Sequence, residues 1–168
     1  RDRVRQLLAY LALRRRVSRR AAAEALWPEL DAVRAAHNLR VNLTHLQRVL
    51  QPDREATAPP WFVLADGDWL TLNASGVHID VDEFDARLKE ARRFDEQALS
   101  SDAVVAYERA LAPVRGGYLD DVADDGWADA ERLRVRSLVI SARCRRGELL
   151  LARGEPETAA QLAATVLA

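Results

Sequence analysis

DAVRAAHNLRVNLTHLQRVL, residues 31–50, is the stretch on which the reading of this chain turns. At about 100° per residue, Leu39, Leu43, Leu46 and Leu50 follow an i, i+4, i+7, i+11 spacing and form one apolar stripe. Arg34, His37, Val41, Thr44, His45 and Arg48 face the other way, with Asn38, Arg40, Asn42 and Gln47 on the flanks. Arg, Asn and Gln can address phosphates and base edges, so this outer face has the chemistry of a helix lying in a DNA groove. An ordinary surface helix shows the same periodicity, and the decision passes to the neighbouring sequence.

Upstream, Arg3 to Leu13 reads as a helix with Val4, Leu7, Leu8 and Leu11 on one side, and residues 14–17 break the pattern. Ser18 is a candidate N-cap for a short helix, Arg19 to Trp27, which Pro28 stops. Only a tight turn is left before Asp31 can cap the next helix, which gives a helix-turn-helix. Downstream, QPDREATAPP (51–60) is a polar, Pro-rich loop. Trp61 to Ala65 and Trp69 to Leu72 are β-prone runs separated by Asp66, Gly67 and Asp68, a hairpin signal. Three helices followed by a hairpin, in that order, predict a winged helix. Trp27, Trp61 and Trp69 are expected to pack in its core.

Composition is consistent with a soluble, cytoplasmic protein. The 168 residues are 49 % hydrophobic, enough for one large or two small domains, yet no apolar run approaches the roughly 20 residues of a membrane span. Cys144 is the only cysteine, which excludes a disulfide framework and a cysteine metal cluster. His37, His45 and His78 lack the i, i+3 or i, i+4 pairing of a helical metal site, so no metal and no cofactor is expected. Because the sequence contains no methionine and opens on Arg1 inside a predicted helix, it reads as a fragment of something longer. Charge is split: residues 1–50 carry +7 and residues 51–168 carry −8, which together give the net −1. Nucleic acid is the leading explanation for a basic module joined to an acidic one.

From Asp80 onward the pattern is helical only. Phe84, Leu88 and Ala91 share a face of a helix over Asp82 to Phe94, with Asp80 or Asp82 as its cap. A helix from Asp102 to Leu111 follows the candidate caps Ser100 and Ser101, and RGGYLDDVADDG (115–126) reads as an acidic loop. Its Asp120, Asp121, Asp124 and Asp125 lack the ligand spacing of a cation loop and are read as a solvated surface or a partner for the arginines. A long helix covers Trp127 to Ala152, with Trp127 against the loop that holds Tyr118. Gly154 and Pro156 separate it from a last helix. Ala159, Ala160, Ala163 and Ala164 there, and the small and aromatic spacing of AVVAYERAL (103–111), have the form of tetratricopeptide repeats.

RQLLAYLALRRRVSRRAAAEALWP (5–28), NLRVNLTHLQRVL (38–50) and the Trp-bearing hairpin together resemble the OmpR-type winged helix of the Streptomyces antibiotic regulatory protein family. IDVDEFDARLKEARR (79–93), the RGGYLDD loop and DGWADAERLRVR (125–136) resemble the bacterial transcriptional activator domain that follows it in those proteins. The resemblance implies a mainly α fold: a winged helix-turn-helix over residues 1–76, without the β-strands that usually precede the first helix, then a tetratricopeptide-like domain over residues 77–168. It also implies transcriptional activation by binding double-stranded DNA, with the helical domain meeting RNA polymerase, another protein or a second copy in a homodimer on direct repeats. Carried onto this sequence, the DNA-contacting residues are Arg34, Arg40, Val41, Thr44, His45 and Arg48, with Arg14, Arg15, Arg16, Arg19 and Arg20 supplying further backbone contacts.

Two features depart from that family. Its recognition helices commonly end in an SRLRR-like run where this one reads THLQR, placing His45 and Gln47 at two arginine positions, and the hairpin tip carries Asp66 and Asp68. Each lost phosphate contact lowers the salt slope of binding by about one. The alternative reading is therefore a protein-interaction or scaffold module with a degenerate winged helix. No phosphate loop, nucleophile elbow or paired nucleophile and base occurs, so an enzyme is not expected.

Overall fold

The computed structural model describes residues 2–55, 57–122 and 126–167. Among them are seven α-helices and one three-stranded antiparallel sheet. The chain divides into two compact units, Arg1–His78 with Leu119–Asp129, and Ile79–Tyr118 with Ala130–Ala168.

In the first unit, α1 (Asp2–Arg14) buries Leu7, Tyr10 and Leu11. It ends where Arg15 takes a left-handed φ of 60° while donating its N–H to the Leu11 carbonyl at 2.8 Å. Arg16 and Val17, expected within the break at residues 14–17, and Ser18, expected as the α2 cap, form a strand β1 (Arg16–Ser18). Three residues are too few to show a period of two; what makes them a strand is a partner distant in sequence. They pair with β3 (Trp69–Leu72), Val17 lying opposite Leu70, and β3 pairs in turn with β2 (Val63–Asp66), giving the order β1-β3-β2. Ser18 caps α2 (Arg19–Leu26) by accepting from the Ala21 N–H, and Asp31 caps α3 (Ala32–Leu50) by accepting from the Arg34 N–H at 2.9 Å, both as expected.

The sheet has one buried and one open face. Val17, Val63, Leu70 and Leu72 point inward and are buried, together with Leu39, Leu43 and Leu46 of α3. Register places Arg16, Ser18, Leu64, Asp66, Trp69 and Thr71 on the opposite face. Trp27 is in the core at 4 % exposure, but Trp61 and Trp69 are 45 % and 44 % exposed, contrary to expectation. For Trp69 the reason is the register, which turns its indole outward. Trp61 lies beside Gly76, where a Cβ would come within 1.9 Å of the indole, so any side chain at 76 would have to displace the ring.

Residues 119–129 complete this unit although they follow α5 in sequence. Val122 and Ala128 are buried, and the Trp127 ring meets Tyr10 of α1 edge-on at 5.3 Å. The long helix expected from Trp127 begins two residues later, at Asp129. Asp121 pairs with Arg5, while Asp124 and Asp125 lie outside the described residues.

The second unit consists of α4 (Asp80–Glu96), α5 (Ser100–Leu111), α6 (Asp129–Ala152) and α7 (Pro156–Leu167). Neither α4 nor α5 carries the expected side-chain cap; the cap positions are Ile79 and Leu99, so α4 begins at Asp80 and α5 at Ser100. Phe84, Leu88, Ala103, Tyr107, Val139, Ala142 and Leu150 form the core. Of the four alanines expected to pack on α7, only Ala159 is buried. Gly154 ends α6 with φ +77°, the conformation in which a glycine costs least.

Ion pairs join α4 to α6 at two levels. Arg134 grips Asp85 with both terminal nitrogens at 2.9 and 3.1 Å and also meets Glu131. Eleven residues on, Arg145 reaches Asp95 at 2.7 and 2.9 Å, and Tyr107 of α5 donates its hydroxyl to the same carboxylate. Hydrogen bonding from Arg145 holds the Asp95 carboxyl below its ordinary range, while burial pushes the Tyr107 hydroxyl up. A depressed carboxyl stabilises the fold fully above its unfolded value of about 3.9, and that contribution is lost as pH falls through the lower folded value. Acid titration of the helical unit by circular dichroism is expected to show this loss below about pH 4, and Asp95→Asn to remove that portion of the pH dependence.

Candidate nucleic-acid interface

Burial of Ala35, Leu39, Leu43 and Leu46 fixes the rotation of α3 and leaves its opposite side in solvent. Arg34, His37, Arg40, Val41, Thr44, His45 and Arg48 are all exposed on that side, so the six residues assigned to this helix share one surface. Their freedom differs. Arg34 is held 3.4 Å from the Asp31 carboxylate, and Arg40 lies 3.1 Å from His37 Nδ1. Thr44 donates its hydroxyl to the Arg40 carbonyl at 3.0 Å, which leaves the oxygen's lone pairs available as acceptors. Arg48 and His45 have no hydrogen bond or ion pair among the described residues.

Gln47 has a structural task that its sequence position does not reveal. Its side-chain amide donates to the Val63 carbonyl at 3.2 Å, tying α3 to the first strand of the hairpin. At this departure from the family pattern the side chain braces helix against hairpin.

Arg19 and Arg20 sit at the N-terminus of α2, where the helix dipole favours an anion although the Arg19 and Ala21 N–H groups are already taken by the Asp68 carbonyl and the Ser18 hydroxyl. Arg19 is braced by the hairpin: its Nε donates to the Gly67 carbonyl at 3.0 Å, and its backbone N–H to the Asp68 carbonyl at 2.7 Å. Arg20 is 86 % exposed and lies 3.9 Å from Glu24. Between α2, α3 and the hairpin tip runs an open groove of about 620 Å³, lined by Arg19, Arg20, Glu24, Trp27, Ala36 and Asp68. Its charges are mixed, so the cationic character of this surface comes from α3 and the start of α2.

A further element escaped the sequence reading. The Arg16 guanidinium stacks 4.4 Å from the centre of the Trp69 ring on the open face of the sheet. Only cross-strand register brings these two together, and no local pattern records it. Arg14 lies similarly over Tyr10, at 5.7 Å. Among the described residues no group of His, Cys, Asp and Glu is arranged to hold a metal ion, and no helix is long and apolar enough to cross a membrane.

In comparison with known proteins, the family model of the bacterial transcriptional activator domain matches residues 79–168. No curated protein and no solved structure matches the chain.

Replacing Gln47 with alanine leaves the Val63 carbonyl without its side-chain donor. A loss of about 1 kcal/mol in urea denaturation is expected, with hydrogen exchange in β2 accelerated. Unchanged stability and exchange would show that the brace contributes nothing.

Proposed function

Since the chain belongs to the bacterial transcriptional activator domain family, which is regulatory rather than enzymatic, we propose that it is a DNA-binding transcriptional activator. In this reading residues 1–76 form a winged helix-turn-helix of the OmpR type, with α3 in the major groove and the β2–β3 hairpin as the wing. The observation that carries it is the outer face of α3, where Arg34, Arg40, Val41, Thr44, His45 and Arg48 lie side by side, exposed, above a buried leucine stripe. Arg40 and Arg48 hold phosphates; Thr44 and His45 meet base edges, and Val41 meets a thymine methyl. Arg19 and Arg20 hold a further phosphate at the start of α2. The tetratricopeptide-like helices of residues 77–168 serve dimerisation or contact RNA polymerase or another protein.

A second reading is favoured by the hairpin tip, where Asp66 and Asp68 are exposed and Asp68 lines the same groove as Arg19 and Arg20. Two carboxylates at a wing repel phosphate. With Gln47 occupied by Val63, the unit would then be a protein-interaction module built on a winged-helix frame.

Titration of labelled promoter DNA at several salt concentrations separates the two. Activator function predicts a Kd tighter than about 10 μM at low salt, and Arg48→Ala is expected to weaken binding at every sequence and lower the salt slope by about one. Weaker binding than this, or no response to Arg48→Ala, would favour the interaction module.

A further inference from the structure

The outer face of α3 has a centre line as regular as its buried one. His37, Val41, Thr44 and Arg48 repeat the four-three-four spacing of Leu39, Leu43, Leu46 and Leu50, displaced by two residues. Two residues turn a helix through about 200°, so this line runs almost opposite the leucines, and all four of its side chains are exposed. His37 stands at the N-terminal end of the line, and the N-terminal part of a helix lying in the major groove is the part that contacts base edges. The six α3 residues assigned to DNA above do not include it.

His37 also has a ring nitrogen already engaged. Arg40, one turn on, brings Nη2 to 3.1 Å from His37 Nδ1. A guanidinium only donates, so Nδ1 is the acceptor, and the one proton of the neutral ring sits on Nε2. His45, two turns further along the same helix, has no hydrogen bond or ion pair among the described residues, so nothing fixes its tautomer. The two imidazoles of α3 thus differ in what they can offer a ligand. His37 presents a single N–H and no acceptor.

We propose that His37 is a specificity-determining residue that reads guanine in the major groove, with Arg40 positioning it as a donor. This rests on the DNA-binding reading above and deepens it. Guanine presents two adjacent acceptors in that groove, N7 and O6, and no donor beside them. Cytosine presents the N4 amino group, a donor that faces the His37 N–H unfavourably, and adenine sets its N6 donor next to N7. Thymine offers only O4, beside its C5 methyl. Guanine is therefore the edge that a lone donor matches best. Arg40 gives His37 one of its five N–H groups and keeps the others for a phosphate, so the pair spans backbone and base.

Selection of bound sequences from a randomised duplex pool by the full chain is expected to return a guanine whose preference disappears in His37→Ala. Affinity for the selected duplex should fall about five- to tenfold in that variant, the worth of one neutral hydrogen bond, with the salt slope unchanged because no phosphate contact is lost. Arg40→Ala frees Nδ1 and lets the ring present an acceptor, so adenine and cytosine become tolerated at the same position while the salt slope falls by about one. Arg40→Lys keeps a donor for Nδ1 and should restore the guanine preference. Both side chains are exposed, so thermal melts by circular dichroism should match the wild type. A His37→Ala variant that selects the same sequences as the wild type, or that lowers the salt slope without changing any base preference, would overturn the proposal and leave the DNA reading standing. Full guanine preference in Arg40→Ala would overturn it equally. A wild-type chain that binds no duplex at low salt would overturn both.

Discussion

The first unit depends on the pairing of β1 with β3. Residues 16–18 stand just before α2, and residues 69–72 come after α3, so their ladder closes the chain around the intervening helices. Without that pairing the hairpin would be a two-stranded ribbon, which is marginal in water. With it, Val17, Leu70 and Leu72 form an apolar floor against which Leu39, Leu43 and Leu46 are buried. The ladder also brings the Asp68 carbonyl to the Arg19 N–H, so hairpin and α2 share one backbone connection.

Burial of one face is what defines the other. The leucine stripe sets the rotation of α3, and rotation alone decides that Arg40, Thr44 and Arg48 face solvent. Two residues on its flanks show how packing and function divide the same helix. Gln47 braces β2, and Asn42 donates to the Asn38 carbonyl, whereas Arg48 is exposed and has no partner among the described residues. The chemistry available to a ligand is therefore narrower than the polar composition of the helix indicates.

The second unit uses charge differently. Its arginines bind carboxylates on neighbouring helices, Arg134 to Asp85 and Arg145 to Asp95, each with two nitrogens on two oxygens. Paired guanidinium and carboxylate groups fix orientation more than they add stability at partly exposed positions. Apolar side chains supply the burial, and α6 has more of them than one core can cover.

Much of this was legible locally. Ser18 and Asp31 act as helix caps because a cap depends on residues two or three positions away, and the spacing of Leu39, Leu43 and Leu46 gave the buried face of α3 for the same reason. The exposed placement of the candidate residues on that helix follows directly. Four features were not legible: the strand at residues 16–18, the outward turn of Trp69 onto Arg16, the brace from Gln47 to Val63, and the return of residues 119–129 to α1. Each depends on partners at least 16 residues apart in sequence, or on a register that such partners impose. Periodicity and capping are properties of a short segment and its own backbone. Strand pairing and side-chain stacking exist only once distant segments have met, so tertiary structure alone could decide them.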